Sequence, residues 1–156
     1  MHSTSLYVVR TLAATIFLSI TTAWADSYKD PTPTAVYIQE CGSCHLAFPP
    51  NLLPKTSWQR LMNGLDTHYG SDASLDAAVQ KQIDVWLQNY GGQSKRAREE
   101  PPQDRITRSG WFARKHRELS AATFQRASIK SPTNCTACHR DATRGDFEES
   151  RVRIPK

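Results

Sequence analysis

Two short stretches of this sequence share one pattern, in which two cysteines three residues apart are followed directly by a histidine. They are Cys41-Gly42-Ser43-Cys44-His45 and Cys135-Thr136-Ala137-Cys138-His139. The pattern C-x-x-C-H attaches c-type haem: its thiols bond to the two vinyl groups of one porphyrin, and its histidine is placed under the iron. The sequence therefore predicts two covalently bound haem c groups. The predicted thioether residues are Cys41, Cys44, Cys135 and Cys138.

A zinc ribbon is the main alternative for paired C-x-x-C motifs. A zinc ribbon does not require a histidine directly after each pair, and it is not usually exported. The chain has four cysteines, and the two motifs use all of them. No cysteine is left for a disulfide, although an exported chain would meet an oxidising compartment. The cysteine pattern therefore favours thioethers to haem.

Each haem iron has two axial positions, and the number of histidines matches them. The chain has five histidines, one of which lies in an N-terminal segment that we predict to be removed. His45 and His139 are the predicted proximal ligands, which leaves His68 for the first iron and His116 for the second. Crossed ligation remains open, and Met62 is a rival ligand whose place in an apolar helical stripe favours a core role. Two histidines per iron would leave no open position for peroxide, oxygen or nitrite.

Residues 1–25 have the features of a secretory signal peptide. Arg10 precedes an apolar run over residues 11–20, and a small-x-small cleavage site follows at Ala23-Trp24-Ala25. The run is too short to span a bilayer, which needs about 20 predominantly apolar residues. An uncleaved anchor is the alternative. We expect cleavage near Ala25, a periplasmic location and no membrane span in the mature chain.

Residues 26–92 carry the helix signals of a first haem domain. The apolar spacing predicts helices over 35–44 capped by Thr34, over 58–67 capped by Thr56 or Ser57, and from Ser74 to Tyr90. Between the first two helices, the three prolines of 48–54 predict an apolar loop folded over a porphyrin. His68 follows the second helix. This order of parts is that of a class I cytochrome c domain.

Residues 93–106 are predicted to be a linker and residues 107–156 a second haem domain. The linker is marked by a charge cluster and two prolines. Short helices are predicted after Thr107 or Ser109, after Ser120, and from Ser131-Pro132 into the second motif. We expect a mainly α fold, with a class I cytochrome c-like domain followed by a second small helical haem domain. The second part is too small to enclose a porphyrin alone, so we expect its haem to pack against the first domain, with Trp111 and Phe112 filling space.

The charge is divided unevenly along the chain, whose formal net charge is +5. Residues 26–92 hold four bases and seven acids, a balance of −3, whereas residues 93–156 hold fifteen bases and eight acids, a balance of +7. A basic half often indicates nucleic-acid binding. An exported haem protein has little opportunity to meet nucleic acid, so we expect none. A docking face for another redox protein is the favoured interpretation.

The motifs and their flanking residues together resemble the small bacterial dihaem cytochromes c. In the first half the stretches that carry the resemblance are Glu40–Pro50, Ser57–Met62 and Leu65–His68. In the second half they are Asp104–Ser109, Trp111-Phe112, His116–Glu118, Asn134–His139, Gly145–Phe147 and Arg153–Pro155. Together these stretches extend over nearly the whole mature chain, and their combination is far more specific than the two haem motifs alone.

The resemblance implies an electron-transfer protein, not an enzyme, with two low-potential haems. It places axial ligands at His45 and His68, and at His116 and His139. It also implies two partners, a soluble monohaem c-type cytochrome and a membrane b-type cytochrome, between which the protein would pass single electrons. The alternatives are a small electron-entry subunit of a periplasmic reductase and a dihaem peroxidase-type enzyme, the latter requiring one open axial position.

Overall fold

The computed structural model describes residues 31–156, so the predicted signal peptide at 1–25 lies outside the described residues. The α-helices of this part are α1 (Ala35–Cys41), α2 (Lys55–Asn63), α3 (Ala77–Tyr90), α4 (Gly110–Lys115) and α5 (Ala121–Phe124). Short 3-10 turns connect them, and no strand forms within residues 31–156. The prediction of a mainly α fold is confirmed. None of the helices in this range has the length and apolarity needed to cross a membrane.

Three helix starts lie where the sequence predicted them. The Thr34 hydroxyl accepts a hydrogen bond from the Tyr37 backbone N–H at the start of α1. Ser109 caps α4 in the same way, and Ser120 caps α5. Each hydroxyl satisfies one of the backbone donors that a helix leaves without a partner in its first turn.

The starts of α2 and α3 differ from the predictions. α2 begins at Lys55, directly after Pro54, rather than after Thr56 or Ser57. Ser57 instead lies fully buried inside the helix. α3 begins at Ala77, because the Asp76 carboxylate accepts hydrogen bonds from the backbone N–H groups of the first turn. The prediction of a start near Ser74 was wrong by almost one turn.

The second haem motif does not lie on the α-helix predicted for it. Only a 3-10 turn forms there, Cys135–Ala137, and a second 3-10 turn follows at Ala142–Arg144. The residues around the motif are small or polar and lack an apolar stripe at helical spacing. A short helix without a buried stripe gains little from packing and is only marginally stable. The motif is held instead by a chain of tight turns.

The core lies where α2 and α3 pack against α1 and the proline-rich loop. Its buried side chains are Tyr37, Leu52, Leu53, Trp58, Met62, Ile83, Trp86, Leu87 and Ile106. The Trp58 indole N–H donates to the Pro50 carbonyl at 2.7 Å, so its polar group is satisfied within the core. Met62 is 4% exposed, in agreement with the core role predicted for it.

Tyr37 links this core to the first haem motif, and its hydroxyl gives a test of that link. The buried Tyr37 donates at 2.7 Å to the carbonyl of Phe48, which follows the motif. We expect Tyr37→Phe to lower the free energy of unfolding by about 1–3 kcal/mol, because the acceptor loses its partner. Denaturant unfolding measures the change, with the half-exposed Tyr90→Phe as control. Equal unfolding midpoints for the two variants would contradict this.

The predicted linker is anchored to the first half of the molecule. The Ser94 hydroxyl donates to the Asn51 carbonyl at 2.7 Å. The Arg60 guanidinium of α2 pairs at 2.7 Å with both Glu100 and Asp104. The charge cluster that suggested a solvated connection is therefore partly used for packing. The domain boundaries themselves stay a prediction.

Residues 107–156 bury few side chains of their own. Their buried hydrophobic residues are Phe112, Ile129 and Ala142. The two helices in this part, α4 and α5, have six and four residues. The protein part of residues 107–156 therefore forms only a small apolar core.

Candidate haem-binding sites

His45 and His68 face each other at the first motif. Their ring centroids are 6.2 Å apart, and the ring planes differ by 26°. The Nδ1 atom of His45 lies 2.8 Å from the Leu46 carbonyl, so a protonated Nδ1 donates there and leaves Nε2 free for a metal. Phe48 stacks on His45 at 4.9 Å between centroids.

His68 is positioned by the tight turn that follows α2. Gly64 ends the helix, a 3-10 turn over Leu65–Thr67 follows, and the His68 backbone N–H donates to the Leu65 carbonyl at 3.3 Å. The next residue, Tyr69, has a φ of 53°, which is uncommon for a non-glycine residue. The Arg105 guanidinium lies over its ring at 3.9 Å. The turn that presents His68 is therefore braced by the segment before α4.

His116 and His139 form the second pair, again with 6.2 Å between ring centroids. Here the ring planes differ by 79°. His116 ends α4, and its Nδ1 lies 2.9 Å from the Phe112 carbonyl one turn earlier. The Phe112 ring stacks on His116 at 4.0 Å, and Phe147 lies 5.4 Å from His139. The orientation of His116 is therefore fixed by both a hydrogen bond and a stacked ring.

Both pairs have the spacing that a shared metal ion requires. Metal–nitrogen bonds of about 2.0–2.1 Å on opposite sides of one ion place two imidazole centroids about 6 Å apart. The Nδ1 atoms of His68 and His139 are buried and have no hydrogen-bond partner. The residues present fit an iron held between two histidines at each motif, in the uncrossed pairing. His68 and His116, the two histidines left over by the ligand count, each lie opposite a motif histidine.

Burial favours the neutral form of one histidine in each pair. The pKa of His68 is lowered by burial first, then by His45 and by Arg105. The pKa of His139 is lowered by burial and by His116, against a smaller opposing effect of Asp146. A neutral imidazole has a free lone pair, which is the form that binds iron.

Two of the four motif cysteines lie in surroundings that raise the pKa of their thiols. Burial raises the pKa of Cys41 and of Cys135 to about 11, so both remain thiols at neutral pH. Within residues 31–156, no three His, Cys, Asp or Glu side chains converge on a possible metal site. The geometry therefore does not support the zinc-ribbon alternative.

A cavity of about 810 Å³ opens around the second histidine pair. Cys135, Cys138 and both histidines line it, together with residues that precede the predicted second haem domain at 107–156. Those earlier residues are Phe48, Leu52, Arg96 and Ile106. Trp111 and Phe112 contribute further walls. The expectation that the second haem packs against the first half, with these two aromatic rings filling space, agrees with this cavity.

The two attachment motifs also share a smaller cavity of about 560 Å³. Cys44 and His45 line one side of it, and Cys135 and Thr136 line the other. Cys135 lines both cavities. The two haem motifs are therefore neighbours in space, although about ninety residues separate them in the chain.

Several bases near the second pair form ion pairs at the surface. Lys115 pairs with Glu149 at 2.5 Å, and Arg117 lies 3.7 Å from Glu118. Both bases line the mouth of the larger cavity. Arg144 pairs with Asp141 and lies on the 3-10 turn Ala142–Arg144, which follows the second motif.

Sequence reasoning missed some of the side chains that pack around the histidines. Phe124 lies 6.2 Å from His116, and Phe147 contacts His139. Arg105 braces the turn that carries His68 through its contact with Tyr69. No spacing pattern predicts these contacts, because they join separate segments through tertiary packing.

Comparisons with known proteins point to one family. The family model described as Dihaem cytochrome c matches residues 37–147. A diheme cytochrome type c from Shewanella baltica OS155, solved by X-ray, is 37% identical with a TM-score of 0.68, covering 78% of this chain and 92% of that chain. DHC purified from Rhodobacter sphaeroides is 39% identical with a TM-score of 0.64, covering 74% of this chain and 98% of that chain. No curated protein sequence matched.

Proposed function

Because this chain belongs to the dihaem cytochrome c family, we propose that it is an exported carrier of single electrons and not an enzyme. It carries two covalently bound haem c groups. We assign their thioethers to Cys41 and Cys44 at the first motif and to Cys135 and Cys138 at the second. Haem iron takes up and releases one electron as it changes between its ferric and ferrous states.

The observation that carries this proposal is the pair of facing histidines at each motif, with 6.2 Å between centroids in both cases. Two imidazoles that fill the axial positions of an iron leave it no site for a substrate. His45 and His68 would hold the first iron, and His139 and His116 the second. Fixed ligands on both sides also limit rearrangement when the electron arrives, which suits rapid transfer. A peroxidase would need one of these positions open.

The spectra of the ferric and ferrous protein test this ligation. We expect two low-spin ferric haems, no thioether-to-iron band near 695 nm, and no binding of carbon monoxide by the intact ferrous protein. We also expect two different paramagnetic resonance signals, because the ring planes differ by 26° in one pair and 79° in the other. The angle between axial imidazole planes sets the splitting of the iron d orbitals.

The rate of electron exchange tests the carrier role itself. Stopped-flow mixing with a soluble monohaem cytochrome c should show transfer of one electron per haem, without turnover of peroxide. A high-spin ferric signal together with peroxide turnover would contradict the carrier proposal. Copurification as a fixed complex with a reductase would instead indicate an electron-entry subunit.

The proposed partners are a membrane b-type cytochrome and a soluble monohaem c-type cytochrome, both of which the family resemblance suggests. Two features support docking of an acidic partner at the second half. Residues 93–156 have a charge balance of +7. Lys115 and Arg117 are exposed and line the larger cavity. Charged groups at an interface mainly set the rate at which the two partners meet.

Raising the salt concentration should slow the bimolecular electron-transfer rate while leaving the haem spectrum unchanged. The reason is that exposed charges more than about 10 Å apart are screened at 0.1 M ionic strength. The double change Lys115→Glu with Arg117→Glu should reduce the rate at low salt by about tenfold or more. The matched control is Lys55→Glu with Lys81→Glu, which makes the same charge change on the first half. Equal effects of the two double variants would contradict docking at the second half.

A further inference from the structure

Strained backbone is concentrated beside the first histidine pair. Four non-glycine residues of the described chain have a positive φ, and three of them lie here: Tyr69 at 53°, Gln103 at 59° and Asp104 at 54°. The two segments touch, because the Tyr69 hydroxyl donates to the Gln103 carbonyl at 3.0 Å. A residue as bulky as tyrosine is rare in the left-handed region, and it persists there only where its surroundings hold it. Such strain is found most often at functional sites.

The ring of His68 has no hydrogen bond at Nδ1 to hold its orientation. The Nδ1 atom of His45 lies 2.8 Å from the Leu46 carbonyl, whereas that of His68 is buried and has no partner within residues 31–156. An iron-bound histidine usually donates from its other nitrogen to a protein acceptor, which fixes the plane of the ring. At His68 this task falls to packing. The Tyr69 ring packs against His68, with 4.8 Å between the ring centroids.

Tyr69 is in turn fixed by the segment that precedes α4. The Arg105 guanidinium lies over the Tyr69 ring, 3.9 Å from its centroid, which is a cation–π contact. The hydrogen bond from the Tyr69 hydroxyl to Gln103 fixes the phenol end of the ring. The segment itself is tied to α2, since Arg60 donates to both carboxylate oxygens of Asp104, at 2.7 and 2.9 Å. The Tyr69 ring is therefore held between the turn after α2 and an anchored segment.

We propose that Tyr69 and Arg105 are positioning residues for the first haem, which hold the His68 ring at its angle of 26° to His45 and slow its release from the iron. This rests on the proposed function, because it requires His68 to be an axial ligand. Arg105 acts through Tyr69, and Tyr69 acts through its contact with His68. The predicted linker, which contains Arg105, would then help to determine the ligation of the first iron as well as joining the two halves.

The test follows the first haem in variants of the intact ferric dihaem protein. Tyr69→Asn removes the ring but keeps a residue that tolerates a positive φ, so the turn itself is preserved. Arg105→Gln removes the cation over the ring. In both variants the paramagnetic resonance signal of the first haem should broaden, because the two imidazole planes no longer hold one angle. Displacement of His68 by added cyanide, followed by stopped-flow absorbance, should become about tenfold faster, which is the effect of losing one cation–π contact.

Three further variants make the comparison specific. Arg105→Lys keeps a cation near the ring and should restore part of the wild-type cyanide rate. Arg98→Gln is the matched control, because Arg98 is an exposed base of the same predicted linker, and both measurements should stay at their wild-type values. The signal that disappears in His68→Ala identifies which of the two signals belongs to the first haem. The second haem is the internal control for folding, and its signal should not change.

An unchanged signal and cyanide rate at the first haem, in Arg105→Gln or in Tyr69→Asn, would overturn the proposal. Equal changes at both haems would overturn it as well, because they would indicate a general loosening of the fold. Failure of the proposed function would look different, since the wild-type protein would then already be high-spin. Where Tyr69→Asn does not fold, the comparison of Arg105→Gln with Arg105→Lys still decides the outcome.

Discussion

Replacing His116 by alanine should turn one of the two haems high-spin in the ferric protein and open its ferrous form to carbon monoxide. The other haem should stay low-spin and inert. The reason is the pairing of His116 with His139 at 6.2 Å, which leaves a gap on one side of the second iron when the imidazole is removed. His68→Ala should do the same at the first iron. Paramagnetic resonance measures the change of spin state. Carbon monoxide titration should go from no binding in the wild-type protein to one bound molecule per protein in each variant.

Two further measurements distinguish ligation from a general disturbance of the site. Free imidazole added to His116→Ala should restore the low-spin spectrum, since it can fill the gap that alanine leaves. Lys115→Ala, a change at the neighbouring exposed residue, should leave the spectrum unaltered. A His116→Ala variant that stays low-spin and does not bind carbon monoxide would show that His116 is not a ligand. For His68→Ala, the double variant with Met62→Leu then tests whether Met62 has replaced it.

The candidate site residues could be proposed from the sequence because covalent haem attachment imposes a short, rigid spacing. The thiols and the proximal histidine of each motif occupy five consecutive residues, so no tertiary information is needed to identify them. His68 and His116 were proposed as ligands by counting, since residues 26–156 hold no histidines besides these two and the two motif histidines. The angle between the rings could not be predicted, because it depends on contacts such as the stacking of Phe112 on His116.

The fold could be predicted where helices bury an apolar stripe, and less well elsewhere. α2 and α3 bury such stripes, including Trp58 and Ile83, and both were expected. The start of α3 was misplaced because Asp76 caps it rather than Ser74, whereas α2 begins directly after Pro54 without a side-chain cap. The helix expected at the second motif does not form, since nothing apolar on it holds a short helix in place. The contacts of Arg60 with the predicted linker join residues about forty positions apart, which no local pattern reveals.

The variant Cys135→Ser with Cys138→Ser should lose the second haem and unfold residues 107–156, while the first half stays folded. The first half has its own apolar core, built around Trp58, Ile83 and Leu87. The second half buries mainly Phe112 and Ile129 beside its open cavity of about 810 Å³. Without the porphyrin, the walls of that cavity would lose their contacts, and a small domain with so little core is marginal.

Hydrogen exchange followed by mass spectrometry measures this loss segment by segment, and the intact mass reports how many haems are attached. Amides of α4 and of 135–145 should exchange rapidly, whereas those of α2 and α3 should keep their protection. Cys41→Ser with Cys44→Ser is the control, and it should weaken the first half as well, because Cys41 packs against the core there. Retained protection in the second half of the one-haem protein would contradict this expectation. In that case the turns and side chains of residues 107–156 would be sufficient for folding, and the haem would serve only electron transfer.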